Sequence, residues 1–345
     1  MRLPKNSCIS SSESIVKPFL ALYRNFPAFS RALAIAVGIS GLVWLSLWLL
    51  YRDARPSIFL LGDSCIGNYR LHPGHRFQEM LESAEPSYRV ENWAEPGACP
   101  LDFLLQYEKG CLIAGKPRRV VIAMTPDKFL KDGGVHRFDE DGVNLRWIPF
   151  AKSGMLVWNS LSPRERNVAV VQKIGLFGYA ILDLSRALWI RYVQWPWERR
   201  SLRGAGRSRK QRIREFTTAL GKQLETLEIG SDQDFDSLPK ARDADILIRA
   251  LQSEGVQPIV LVLPYGNPAL IESTYSPLAL AKRDSTVVRM RSWLDERHVD
   301  YLDFNAPEHR VGFPDSQWDD NAHIKLPGPF QYMTRQVVQH LAVLR

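Results

Sequence analysis

Short apolar runs recur along the chain, and each ends in turn residues. Residues 57–61 (Ser-Ile-Phe-Leu-Leu) stop at Gly62-Asp63-Ser64, and residues 88–93 stop at Ala94-Glu95-Pro96-Gly97. Residues 119–124 (Arg-Val-Val-Ile-Ala-Met) stop at Thr125-Pro126-Asp127, and residues 257–263 (Gln-Pro-Ile-Val-Leu-Val-Leu) at Pro264-Tyr265-Gly266-Asn267-Pro268. A last run occupies 299–304. The continuous β-branched run 119–124 reads as a strand covered on both faces, 57–61 and 257–263 as buried strands, and 88–93 and 299–304 as the second and fifth strands. Between them the spacing predicts helices over 73–83, with Phe77, Met80 and Leu81 on one face, and over 243–253, 285–297 and 330–344. Strand and helix in alternation predict a parallel α/β sheet with right-handed crossovers.

The alternation breaks between about residues 130 and 240, which read as a mostly helical insertion. Residues 136–161 are rich in turns, and 168–197 are strongly apolar and helical in pattern. Lys173, Asp183 and Arg186 argue against a membrane span there, because charges near a span's centre are expensive. Residues 199–214 are densely basic around Gly204-Ala205-Gly206, which fits a solvated linker or a patch resting on anionic lipid or glycan.

Residues 32–51 carry no charge and are long enough to cross a bilayer. Arg2, Lys5, Lys17, Arg24 and Arg31 precede them and keep that end in the cytoplasm. A cleaved secretory signal would have an unusually long n-region here, and no small-x-small site follows the apolar core. The expected organisation is a cytoplasmic segment 1–31, a single-pass anchor 32–51 in the cytoplasmic (inner) membrane, and a periplasmic domain 52–345. Trp44, Trp48 and Tyr51 suit the outer membrane–water interface.

With 45% hydrophobic and 24% charged residues over 345 positions, the composition is that of a folded globular protein. The net charge of +8 favours anionic surroundings such as lipid headgroups or acidic glycans. No zinc-knuckle spacing or RNA-binding aromatic signature supports nucleic acid. Cys99 and Cys111 fall in one loop-rich stretch and are candidates to pair in an oxidising compartment. Cys65 reads as a buried, inert thiol.

The candidate chemistry begins at Ser64. A serine at the end of a buried strand stands clear of the sheet, and orphan N–H groups of a first helical turn can face a developing oxyanion. Asp-Ser is equally a common turn and N-cap pair. Near the C-terminus, Asp320 precedes His323 by three positions, after the fifth strand and before the last helix. A histidine can take and return the serine proton, and a carboxylate can fix its tautomer. Such a pair in a loop also occurs simply as a surface contact. His72, His75 and Glu79 have helix-compatible spacing but complete no metal site, and no phosphate-binding glycine loop occurs. No cofactor is expected.

Gly62-Asp63-Ser64 after the first strand and Asp320-x-x-His323 before the last helix resemble the first and last blocks of the SGNH (GDSL-type) hydrolase superfamily. The resemblance implies a flavodoxin-like, three-layer α/β fold and Ser-His-Asp esterase or O-acyltransferase chemistry. Ser64 is then the nucleophile, His323 the general base and Asp320 its orienting carboxylate. The oxyanion hole would use the N–H groups of Ser64 and Gly97. The family's third block offers an asparagine, but here the loop reads Thr125-Pro126-Asp127-Lys128-Phe129, so the hole would rest on those two N–H groups or borrow another donor such as Asn68 or Thr125. That loop, the anchor and the insertion resemble the DltD-like branch. Its members work outside the membrane beside a multi-spanning O-acyltransferase and transfer acyl groups onto an envelope polymer. The implied partners are a cell-envelope glycan or polymer acceptor, such an acyltransferase, and membrane lipid. A non-catalytic accessory protein that keeps this fold is the rival expectation.

Overall fold

β1 (Ser57–Leu61) is buried along its whole length, as a run without polar alternation requires. In chain order there follow α1 (Phe77–Ala84), β2 (Arg89–Asn92), α2 (Pro100–Ala114), β3 (Arg119–Met124) and α3 (Gly154–Ser160). Next come α4 (Pro239–Ser253), β4 (Gln257–Val262), α5 (Pro268–Thr274), α6 (Pro277–Glu296), β5 (Asp300–Asp303) and α7 (Pro327–Val343). Two 3-10 turns, Pro307–Gly312 and Asp315–Gln317, lie between β5 and α7. The computed structural model describes residues 54–66, 76–95, 97–126, 151–161, 238–264, 266–318 and 327–344. Gly38, Gly41, Leu42, Ser46, Ile148, Arg166, Gly221, Lys222, Glu225 and Ile324 are described singly.

The chain divides into two units, Met1–Ala54 and Arg55–Arg345. In the first, Gly38, Gly41, Leu42 and Ser46 are helical and exposed. The rest of the expected anchor lies outside the described residues, among which no helix is long and apolar enough to cross a membrane. Most of the expected insertion is likewise outside them.

In the second unit all five strands run parallel, as the alternation predicted, in the order β2-β1-β3-β4-β5, the flavodoxin-like order that the resemblance implied. Their register sets the carboxyl ends of β3, β4 and β5 level, with Met124 opposite Val262 and Val262 opposite Asp303, while β1 stops at Leu61 opposite Ile122, two residues earlier. Alternate strand residues feed two cores. Phe59, Leu61, Val120, Ile122 and Val260 face the layer of α2, α4 and α6; Ile58, Leu60, Val121, Ala123 and Leu261 face that of α1 and α7. On α7, Phe330, Met333, Val337 and Leu341 repeat at helical spacing and bury one stripe. Full burial of each such side chain is worth about 1.5–3 kcal/mol.

The helix α2 overturns one expectation. The stretch read as rich in loops is a helix of 15 residues, and Cys99 is its N-cap. Cys111 lies twelve positions further along that helix, roughly 18 Å away at 1.5 Å per residue. A disulfide needs Cα atoms within about 7 Å, so these two cannot pair, and both are free thiols. Burial pushes the Cys111 thiol up, which makes it a poor nucleophile. Gly110 lets α2 lie against β1: a Cβ there would sit 2.5 Å from the Phe59 ring and 2.8 Å from Trp93 Nε1.

On its other side α2 holds the start of α3. The Ser153 N–H donates to both Glu108 carboxylate oxygens, at 3.1 and 3.2 Å. Lys152 Nζ lies 3.0 Å from Glu254 Oε1, and the Tyr107 hydroxyl donates to Glu254 Oε2 at 2.8 Å. Burial raises the Glu108 carboxyl above its usual range, and the Ser153 bonds only partly offset this. A carboxyl raised in the native state contributes stability that is fully present below its unfolded value of about 4.3 and is lost as pH rises through the native value. Glu108→Gln keeps an acceptor for Ser153 without the charge. The variant should therefore gain on wild type between pH 4 and pH 7 in urea unfolding, and no pH-dependent difference would show that Glu108 does not titrate this way.

Candidate active site

Leu61 ends β1, and the next five residues form a turn in which nearly every group is tied. The Gly62 N–H donates to Gln106 Oε1 at 3.3 Å, and Gln106 Nε2 donates back to the Gly62 carbonyl at 3.2 Å. That carbonyl also accepts the Glu95 N–H at 3.2 Å. Asp63, buried, accepts the Cys65 N–H on Oδ1 at 2.9 Å, and the Asp63 carbonyl accepts the Ile66 N–H at 3.4 Å. Asn92, at the end of β2, donates from Nδ2 to the Ile66 carbonyl at 2.8 Å while its Oδ1 accepts the Ala94 N–H at 2.9 Å. Gly62 itself must be small, since a Cβ would stand 3.0 Å from the Ala123 carbonyl and 3.1 Å from the Ile66 side chain.

Ser64 is the exception in this turn. It is half-buried, and among the described residues neither its N–H nor its hydroxyl enters a hydrogen bond. A donor left open in a turn whose other members are bonded is available to an oxyanion. Gly97 lies in the loop after β2, exposed, with φ of 70°, a left-handed conformation that suits glycine. Its N–H is also without a partner among the described residues. Thr125 is buried just past β3. That strand pairs with β1, the strand that the Ser64 turn follows. The sheet therefore brings Ser64, Gly97 and Thr125 to one rim.

Asn68, Asp320 and His323 lie outside the described residues, as do His72 and His75. The residues flanking the last block are described: Trp318 and Ile324 pair in an isolated antiparallel bridge. Both are buried in the apolar cluster that contains Ile66, two residues beyond Ser64. The ends of the block thus root in the core layer that α1 and α7 form against the sheet. Among the described residues no group of three His, Cys, Asp or Glu side chains could hold a metal ion.

A separate cleft of about 250 Å³ opens at the ends of β4 and β5, between Arg283, Arg291, Arg310, Phe304, Asn305 and Phe313. None of residues 62–66 lines it. Its arginines are paired: Arg283 with Asp284 at 2.7 Å, Arg310 with Glu272 at 2.9 Å, and Arg291 with Asp303.

Sequence reading missed Gln106 and the holding role of Asn92. Asn92 stands within the run 88–93 read as a strand, but Gln106 sits in the stretch taken for loop. Its signal is a polar residue directly after Phe103-Leu104-Leu105, inside a helix most of whose residues are buried.

No protein-family model and no curated protein matches the chain. Solved structures do resemble it. One is a member of the lipolytic G-D-S-L family from Veillonella parvula, at 10% identity and a TM-score of 0.40, covering 83% of this chain and 98% of that one. Another is a carbohydrate acetylesterase from Sinorhizobium meliloti, at 10% identity and 0.38, covering 84% and 100%. A third is a lipase/acylhydrolase from Enterococcus faecalis, at 14% identity and 0.36, covering 83% and 95%.

Proposed function

We propose that the chain is a serine-dependent acyl-transferring enzyme of SGNH type. The observation that carries this reading is Ser64, held in a tied turn at the carboxyl end of β1 with its N–H and hydroxyl open among the described residues. In the proposed reaction Ser64 Oγ attacks an acyl carbonyl while His323, oriented by Asp320, takes its proton. The bond to the leaving oxygen then breaks, and the proton passes to that oxygen. An acceptor hydroxyl or water reverses these steps and regenerates the serine. The N–H groups of Ser64 and Gly97 stabilise the oxyanion. The net charge of +8 and the uncharged segment 32–51 support a membrane-anchored enzyme acting on a cell-envelope glycan or polymer, beside a multi-spanning O-acyltransferase.

A second reading, an accessory protein that binds such a partner without catalysis, is favoured by Thr125-Pro126-Asp127 where the family's asparagine would stand. Fluorophosphonate treatment of the detergent-solubilised full chain separates the two. An activated Ser64 forms an Oγ–P bond, fluoride leaves, and the proton goes to the base. One adduct on wild type, absent from Ser64→Ala and from His323→Ala, is the expected result. No adduct on folded wild type would favour the accessory reading.

A further inference from the structure

We propose that Gln106 is the positioning residue of the oxyanion hole, and that α2 is the element holding both of its N–H donors in place. This rests on the catalytic reading of Ser64. Gln106 is fully buried and 44 positions from Gly62, yet its one amide meets both the N–H and the carbonyl of that glycine. A primary amide can donate and accept in one plane, so it continues the ladder at the point where β1 leaves the sheet. The same face of α2 grips the other half. Asp102 accepts the Cys99 N–H at 2.9 Å, and the Cys99 thiol donates to the Gly97 carbonyl at 3.7 Å. Lys109 lies 3.6 Å from Glu95, whose N–H is the third partner of Gly62. Residues 99, 102, 106 and 109 share a helix face by their i, i+3, i+7 spacing. Two loops that carry open N–H groups are thereby fastened to one rigid rod. Rigidity matters because an oxyanion donor acts through its alignment before the charge appears.

The interaction does not touch substrate, so its loss should slow acylation and leave substrate binding alone. Fluorophosphonate labelling of Ser64 reads this, since the phosphoryl oxygen needs the same donors. In the full-length protein, Gln106→Met keeps the volume and removes both bonds. Labelling should slow about 100-fold, with kcat for an activated ester falling and KM unchanged. A variant destabilised elsewhere, Leu247→Ala in the core under α4, should keep the wild-type labelling rate. Gln106→Glu supplies a second readout: a buried, protonated acid still donates and accepts, whereas its carboxylate cannot donate to the Gly62 carbonyl. Its rate relative to wild type at the same pH should fall at least about tenfold from pH 5 to pH 8. Wild-type labelling of Gln106→Met, or equal slowing of Leu247→Ala, would overturn the positioning role while leaving the catalytic reading intact. An unlabelled wild type would overturn both.

Discussion

Ser64→Ala should lower turnover of an activated acetyl ester by about 10³-fold or more, with the melting temperature within about 1 °C of wild type. The size follows from what is lost. Without the hydroxyl there is no acyl-enzyme, and what remains is ester binding beside the N–H groups of residue 64 and Gly97. The thermal neutrality follows from what the hydroxyl does in the fold. It is half-buried and makes no hydrogen bond among the described residues, so its removal orphans no partner. His323→Ala should cost a similar factor, and the double variant little more, because nucleophile and base act as a unit. Steady-state ester hydrolysis and a thermal melt on the same samples check the pair of claims. Wild-type turnover in Ser64→Ala would end the catalytic reading. An envelope glycan added to the wild-type assay would then distinguish transfer from hydrolysis, since transfer appears as acylated glycan formed at the expense of free acid.

The central strands β1, β3 and β4 were legible because they are apolar runs buried on both faces, whereas the partly buried edge strands β2 and β5 showed through the short apolar stretches and turn residues around them. The helix starts were less so. The spacing placed the later helices at 243, 285 and 330, whereas they begin at Pro239, Pro277 and Pro327. These prolines open the first turns, where the missing N–H is no loss. Ser276 shows the local logic: its hydroxyl accepts the Ala279 N–H at 3.2 Å, just ahead of Pro277. Helix α2 was missed for the opposite reason. Its burial on nearly every side erases the polar stripe that would have marked it, and Gly110 in its last turns looks like a breaker.

The site divides along the same line. Gly62-Asp63-Ser64 announces itself locally because a strand, a sharp turn and a displayed hydroxyl are contiguous in the chain. Gln106 has no such mark: its partner is 44 residues away, and only the packing of α2 on β1 makes them neighbours. The Arg291–Asp303–Asn305 group, on α6, β5 and the loop beyond, was invisible for the same cause. Its members look like ordinary surface charges until the strand ends are brought level.

That group carries the largest expected stability effect. Asp303, with its side chain 7% exposed, closes β5. It pairs with Arg291 and accepts the Asn305 N–H at 2.8 Å and Asn305 Nδ2 at 3.1 Å. Asn305 Nδ2 also reaches the carbonyls of Val262 and Leu263, at 3.3 and 3.0 Å, so one carboxylate indirectly fixes the exit of β4. Asp303→Ala removes the buried partner of a half-buried ion pair and leaves the Asn305 N–H without its acceptor. Breaking such a pair costs about 3 kcal/mol, a fall of roughly 6–12 °C in melting temperature for a unit of this size. Arg291→Ala should cost less, because the Asn305 bonds remain and the vacated side, 36% exposed at the arginine, admits water to the carboxylate. The double variant should cost less than the sum of the two, because each single change leaves its partner stranded. Thermal melts of the three variants test this order. If Asp303→Ala were neutral, or the two costs simply added, the carboxylate would not be the hub that holds the β4 and β5 ends together.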